Sequence, residues 1–145
     1  MEKLVIGSES ELTEIAQKVI QHASVHDPAE ASIVALSGEL GAGKTALVKR
    51  IAKELGVEED VTSPTFLIMR RYETAHARFT SLVHIDAYRI EEEREMIPLH
   101  FAEVCATAGA LVCIEWPERI ASLVPRDAMR LAIAIEGEGR SFSFS

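Results

Sequence analysis

The stretch "GELGAGKT", Gly38 to Thr45, fits the pattern G-x-x-x-x-G-K-[ST] and constrains the fold more than any other part of the sequence. Such a loop works only between a buried strand and a helix N-terminus, because its backbone N–H groups must converge on a phosphate. Both neighbours are legible here. "SIVALS", Ser32 to Ser37, is an apolar run suited to a strand covered on both faces. From Lys44 to Leu55 the pattern is helical, and Gly56 follows as a C-terminal cap. The glycines Gly38, Gly41 and Gly43 let the chain bend around the ligand. Lys44 is placed to reach β- and γ-phosphates, and Thr45 to offer its hydroxyl to Mg²⁺.

The remaining elements extend this unit to an α/β sheet that is parallel in its middle and antiparallel at its edges. Leu4 to Ile6 reads as a short strand. Ser8 and Glu11 form an S-x-x-E capping box, and Leu12, Ile15, Ala16, Val19 and Ile20 then mark one apolar helix face ending near His22. "FLIMRRY" and "SLVHID" read as a strand pair joined by "ETAHAR". Residues 91–108 read as a helix interrupted by Pro98. "ALVCIE" is a further buried strand, and a short helix follows Pro117. The closing "MRLAIAIEGEGRSFSFS" reads as a hairpin with Leu131, Ile133 and Ile135 facing one way. Residues 1–145 show no repeat or linker, so one domain is expected.

Two strands end in acids. Asp86 closes "LVHID" and Glu115 closes "LVCIE", and ligands of open α/β sheets bind outside those strand ends. Asp86 is the first choice for the metal-side carboxylate, acting through water. Glu115 is either a second Mg²⁺ partner or the group that orients an attacking water. "TSPTF", Thr62 to Phe66, lies where phosphate-loop hydrolases place a segment that senses the γ-phosphate, and Thr62, Ser63 and Thr65 carry hydroxyls there; an ordinary Pro-containing turn is the other reading. His84 reads as a structural histidine. His22 and His26 stand four apart at a helix end without a third ligand. "EEERE", Glu91 to Glu95, reads as a solvated helix face.

Composition narrows the class. The sequence has 48% apolar and 26% charged residues, with a net charge of −8. An acidic chain offers little for direct phosphate neutralisation, so any nucleic-acid role is expected to run through a partner protein. No apolar run approaches the roughly 20 residues that span a bilayer. "MEKLVIGSESELTE" lacks a basic-then-apolar leader, so the cytoplasm is the expected compartment. Cys105 and Cys113 read as buried free thiols. The sequence contains no asparagine, which rules out the guanine-reading N-K-x-D. A small-molecule kinase would need an acceptor site and an arginine-rich clamp, and the arginines are scattered. A nucleotide-gated binding module is the other alternative.

"SGELGAGKT", "VTSPTF", "HIDAYR" and "IEWPERI", in that order, resemble the TsaE family over nearly the whole sequence. The resemblance implies a phosphate-loop ATPase fold in three layers. It also implies a slow ATPase that acts with the TsaD–TsaB assembly, which transfers threonylcarbamoyl to the adenosine beside the tRNA anticodon. tRNA would then be met only indirectly, and no membrane is involved. ATP/ADP and Mg²⁺ are the implied cofactors. The implied nucleotide contacts run from Glu39 through Leu40, Gly41, Ala42, Gly43, Lys44 and Thr45 to Ala46, with Trp116 beside the pocket. Thr45, Asp86 and Glu115 are the implied metal partners, and Lys44, Thr65, Asp86 and Glu115 the implied catalytic set. Tyr88 and Arg89 complete H-x-D-x-Y-R and serve either the nucleotide or the partner. The sequence departs from the family's habit at Glu39, usually Asp, at Ala46, usually a hydroxyl residue, and at "EMIPLHF", where a Gly-containing segment is usual.

Overall fold

The computed structural model describes residues 2–62 and 68–145. Seven strands form one sheet in the order β1-β7-β6-β2-β5-β4-β3. They are β1 (Glu2–Ile6), β2 (Ser32–Ser37), β3 (Met69–Glu73), β4 (Ser81–Asp86), β5 (Ala110–Glu115), β6 (Met129–Glu136) and β7 (Gly139–Phe144). The central strands β6, β2, β5 and β4 run parallel. The edges are antiparallel: β1 on β7, β7 on β6, and β3 on β4. Strands β2, β4 and β5 have the bounds their apolar runs indicate.

Alternation along the central strands divides the core in two. Val34, Leu36, Leu82, Leu111 and Cys113 face one side, where helices α1 (Leu12–Ala23) and α2 (Lys44–Glu54) pack. Ile33, Ala35, Val83, Ile85, Val112 and Ile114 face the other. The apolar stripe of α1 is buried as its spacing requires, and extends to Ala23. In α2, Leu47, Val48 and Ile51 are fully buried, each contributing about 1.5–3 kcal/mol relative to exposure.

The second face is covered differently from the expected helix over 91–108. Residues Glu93–Leu99 form a 3₁₀ segment, His100 turns left-handed at φ 54°, and α3 is only Phe101–Cys105. Another 3₁₀ segment, Pro117–Leu123, completes this layer. The third layer is therefore built of short turns. Pro98 lies near the C-terminal end of the first of them, where its missing N–H and ring stop a longer helix from forming.

Two local expectations are corrected, at Ser8 and at Cys105. At Ser8 a 3₁₀ turn, Glu9–Glu11, precedes α1, and the Ser8 hydroxyl donates to the Glu11 carboxylate rather than capping a backbone N–H. The capping box in this chain is at Glu92–Glu95. On β6, Leu131 and Ile133 are buried, but Ile135 is 46% exposed because it stands near the open tip of the hairpin. Cys113 is fully buried and its thiol is pushed up to about 12, whereas Cys105 is only partly covered and pushed up to about 11; burial is the leading cause in both.

Candidate active site

The phosphate-type loop leaves β2 at Ser37 and enters α2 at Lys44. A Cβ on Gly38 would lie 2.5 Å from the carbonyl oxygen of Ile133 on β6, so only glycine lets the loop start that close to its neighbour. Gly43 caps α2 at φ 114°, a region that side chains disfavour. The loop N–H groups and the positive end of α2 thus meet at one place.

Lys44 is the first residue of α2, and its side chain folds back over the loop. Its amine donates to the carbonyls of Gly38 and Glu39, the latter at 3.1 Å, and lies 4.0 Å from the Trp116 ring centroid. Burial lowers its pKa below the ordinary value of 10.5, while Glu115, Glu118, Asp86 and Glu39 act in the opposite sense. The amine is therefore partly desolvated among weak acceptors, a setting that favours exchange for charged oxygens.

The two strand-end acids stand side by side, because Asp86 on β4 pairs in register with Glu115 on β5. The Thr45 hydroxyl is 2.9 Å from each Glu115 carboxylate oxygen. Asp86 Oδ1 accepts the Tyr88 N–H at 3.0 Å, closing a turn that brings Tyr88 and Arg89 to the same opening. Trp116 follows Glu115 in a left-handed conformation, φ 59°. For a tryptophan this costs roughly 1–3 kcal/mol and is kept only where the surroundings fix it. Tyr88 packs against it with ring centroids 5.1 Å apart, and the Arg119 guanidinium lies 5.9 Å from the Tyr88 centroid.

These groups enclose a cleft of about 600 Å³, within the range of small-molecule sites. Of the residues expected from sequence, Leu40, Gly41, Gly43, Lys44, Thr45, Ala46, Asp86, Glu115 and Trp116 line it. Glu39 takes part through its carbonyl, and Ala42 is buried beneath the loop. Thr65 and its neighbours 63–67 lie outside the described residues. Thr45, Asp86 and Glu115 are hard oxygen donors of the kind Mg²⁺ takes alongside phosphate oxygens, and the loop amides with Lys44 form an anion cradle. Together they could hold a Mg²⁺-bound polyphosphate.

The sequence profile of the family described as Threonylcarbamoyl adenosine biosynthesis protein TsaE matches residues 6–142. The chain belongs to the TsaE family. It is 37% identical over 110 residues to the tRNA threonylcarbamoyladenosine biosynthesis protein TsaE of Treponema pallidum, covering 76% of this chain and 78% of that one. To the protein of the same description from Rickettsia felis it is 33% identical over 138 residues, covering 94% and 75%. The crystal structure of Bacillus subtilis YdiB shares the fold, with a TM-score of 0.73 at 24% identity, over 99% of this chain and 83% of that one.

Four contributors to this TsaE-family cleft were not assigned from sequence. Ile68 and Glu95 line it. Glu95 accepts the N–H groups of Glu92 and Glu91, which hold its carboxyl below the usual range; "EEERE" is thus more than a solvated face. His84 is fully buried and its Nε2 lies 2.5 Å from Glu115 Oε2. Arg140 on β7 donates from Nε to the Ala42 carbonyl at 2.9 Å. Among the described residues, no three His, Cys, Asp or Glu side chains gather into a metal cluster.

Arg140 ties the loop to the terminal hairpin, a link between residues 98 apart in sequence. Arg140→Ala is expected to weaken nucleotide affinity about tenfold, the loss of one charge-assisted hydrogen bond of about 1.5 kcal/mol. Turnover at saturation should fall less. Equilibrium titration of ATP against the variant checks this, and unchanged affinity would show that the loop holds its shape without the arginine.

Proposed function

We propose that this TsaE-family chain binds ATP with Mg²⁺ in the cleft and hydrolyses it slowly alone. We propose further that it supports the TsaD–TsaB assembly in threonylcarbamoyladenosine modification of tRNA beside the anticodon. The observation that carries this reading is the convergence of Lys44 and Thr45, at the head of α2, with Asp86 and Glu115, at the ends of two adjacent parallel strands.

The chain's own groups then have distinct work. Lys44 exchanges the Gly38 and Glu39 carbonyls for phosphate oxygens, and the loop amides bind and orient the same anion. Thr45, Asp86 and Glu115 would hold Mg²⁺, which supplies charge neutralisation at the β- and γ-phosphates. Glu115 would also orient the attacking water or take its proton. Thr65 is retained as the γ-phosphate-sensing hydroxyl on the strength of its sequence position. Trp116 and Tyr88 form one aromatic wall of the cleft. Adenine is preferred to guanine, since the sequence lacks the asparagine of the guanine-reading motif.

The net charge of −8 favours docking on a protein over gripping tRNA directly. No helix among the described residues is long and apolar enough to cross a membrane, and the cytoplasm is the proposed compartment. Phosphate release from ATP, measured with and without TsaD–TsaB, tests the reading. A low rate alone and a several-fold rise with the assembly is the expected result, with GTP a poorer substrate. Transfer of phosphate to an added small-molecule acceptor, independent of TsaD–TsaB, would establish the kinase instead.

A further inference from the structure

We propose that His84 is a positioning residue for Glu115, fixing the carboxylate that faces Thr45. The inference rests on the reading of Glu115 as a carboxylate of the nucleotide site. His84 lies on β4 two residues before Asp86, so both project to the α2 side of the sheet. In the β4–β5 register His84 is opposite Cys113 and Asp86 is opposite Glu115. The imidazole therefore reaches Glu115 diagonally, across strands and towards the strand ends.

The contact pins one carboxylate from two directions. His84 Nε2 is 2.5 Å from Oε2, below the site, and the Thr45 hydroxyl is 2.9 Å from both oxygens, at the loop. Both oxygens of the carboxylate are thereby engaged, Oε2 by His84 as well as by Thr45 at the head of α2. Because a carboxylate oxygen accepts, the Nε2 position carries the hydrogen. His84 Nδ1 is buried without a hydrogen-bond partner among the described residues. A histidine placed merely to satisfy its own polar atoms would pair both nitrogens. This one leaves Nδ1 unpaired while holding Glu115, so its orientation follows the glutamate. Such supporting hydrogen bonds behind a functional ligand typically carry 10- to 100-fold effects.

The test uses the 145-residue protein and four variants: His84→Leu, His84→Gln, Glu115→Gln, and His84→Leu combined with Glu115→Gln. In ligand-free protein, the imidazole ¹⁵N spectrum should show the Nε2–H tautomer, and Glu115→Gln should shift the Nε2 signal. In ATP turnover, His84→Leu should lower kcat by about 10- to 100-fold with KM nearly unchanged. His84→Gln, which retains an N–H near the same place, should recover most of that loss. The double variant should be no slower than Glu115→Gln alone. Unchanged kcat in His84→Leu, a loss in His84→Gln as large as in the leucine variant, or additive losses in the double variant would overturn the proposal. If the leucine variant does not fold, the glutamine variant and the spectrum decide. If wild-type protein hydrolyses no ATP, the functional reading falls, and the ligand-free spectrum alone then supports or overturns the His84–Glu115 coupling.

Discussion

Replacing Lys44 with alanine is expected to lower ATP hydrolysis by about 100-fold or more while leaving the protein folded. Loss of one preorganised donor to a developing negative charge typically costs 10²–10³ in rate, and Lys44 brings a full charge to a partly desolvated place. Its removal should cost little stability. The amine is held below its ordinary pKa by burial, so the folded chain already carries a desolvation cost that alanine removes. Alanine is also the best helix former for the first turn of α2. The two carbonyls released, those of Gly38 and Glu39, stand beside a cleft that water can enter. Thermal unfolding should therefore shift by no more than about 4 °C, the equivalent of about 1 kcal/mol in a domain of this size. Normal hydrolysis by the variant would remove the phosphate-loop assignment. A large loss of stability would mean that the side chain holds the loop together rather than serving phosphate.

Glu115→Gln is expected to reduce hydrolysis on the order of 100-fold or more and to change nucleotide affinity far less. The substitution keeps shape and length. Its carbonyl can still accept from His84, and the Thr45 hydroxyl can turn to accept from the new amide, so the cluster retains its hydrogen bonds. What disappears is the negative charge and the capacity to take a proton, both of which matter most in the transition state. Single-turnover rates beside equilibrium nucleotide titrations separate the two effects. Equal losses in affinity and rate would make Glu115 chiefly a binding group. Unchanged turnover would leave Asp86 as the sole catalytic carboxylate and move the Glu115–Trp116 pair to a structural or partner-binding role.

The parts of this fold that sequence reading captured are those set by local pattern. "SIVALS", "SLVHID" and "ALVCIE" are short apolar runs ending at a polar residue, and each is a strand with those bounds. The 3.6-residue spacing in α1 likewise identifies the buried face. The strand-end positions of Asp86 and Glu115 sufficed to put both in the cleft. The missed features depend on which strands pair and in what register. His84 looked structural because its partner is 31 residues away, reached only through the β4–β5 alignment. Arg140 meets the loop across the β6–β7 hairpin for the same reason. Local competition explains the rest. At residues 91–108 the apolar content permitted a helix, but Pro98 and the left-handed His100 divide it into two short turns. At Ser8 the Glu11 carboxylate draws the hydroxyl away from the backbone.

The central claim is that nucleotide enters the cleft where Lys44 lies over Trp116. Trp116 is the only tryptophan in the sequence, and the Lys44 amine is 4.0 Å from its ring centroid, so its fluorescence reports on this one place in the molecule. Titrating ATP with Mg²⁺ into the wild-type protein should produce a saturable change in emission as the amine leaves the ring for phosphate oxygens. The Lys44→Ala variant should show a blunted change at the same concentrations. A tryptophan signal indifferent to saturating nucleotide would contradict the placement of the nucleotide site between the loop and the β5 strand end.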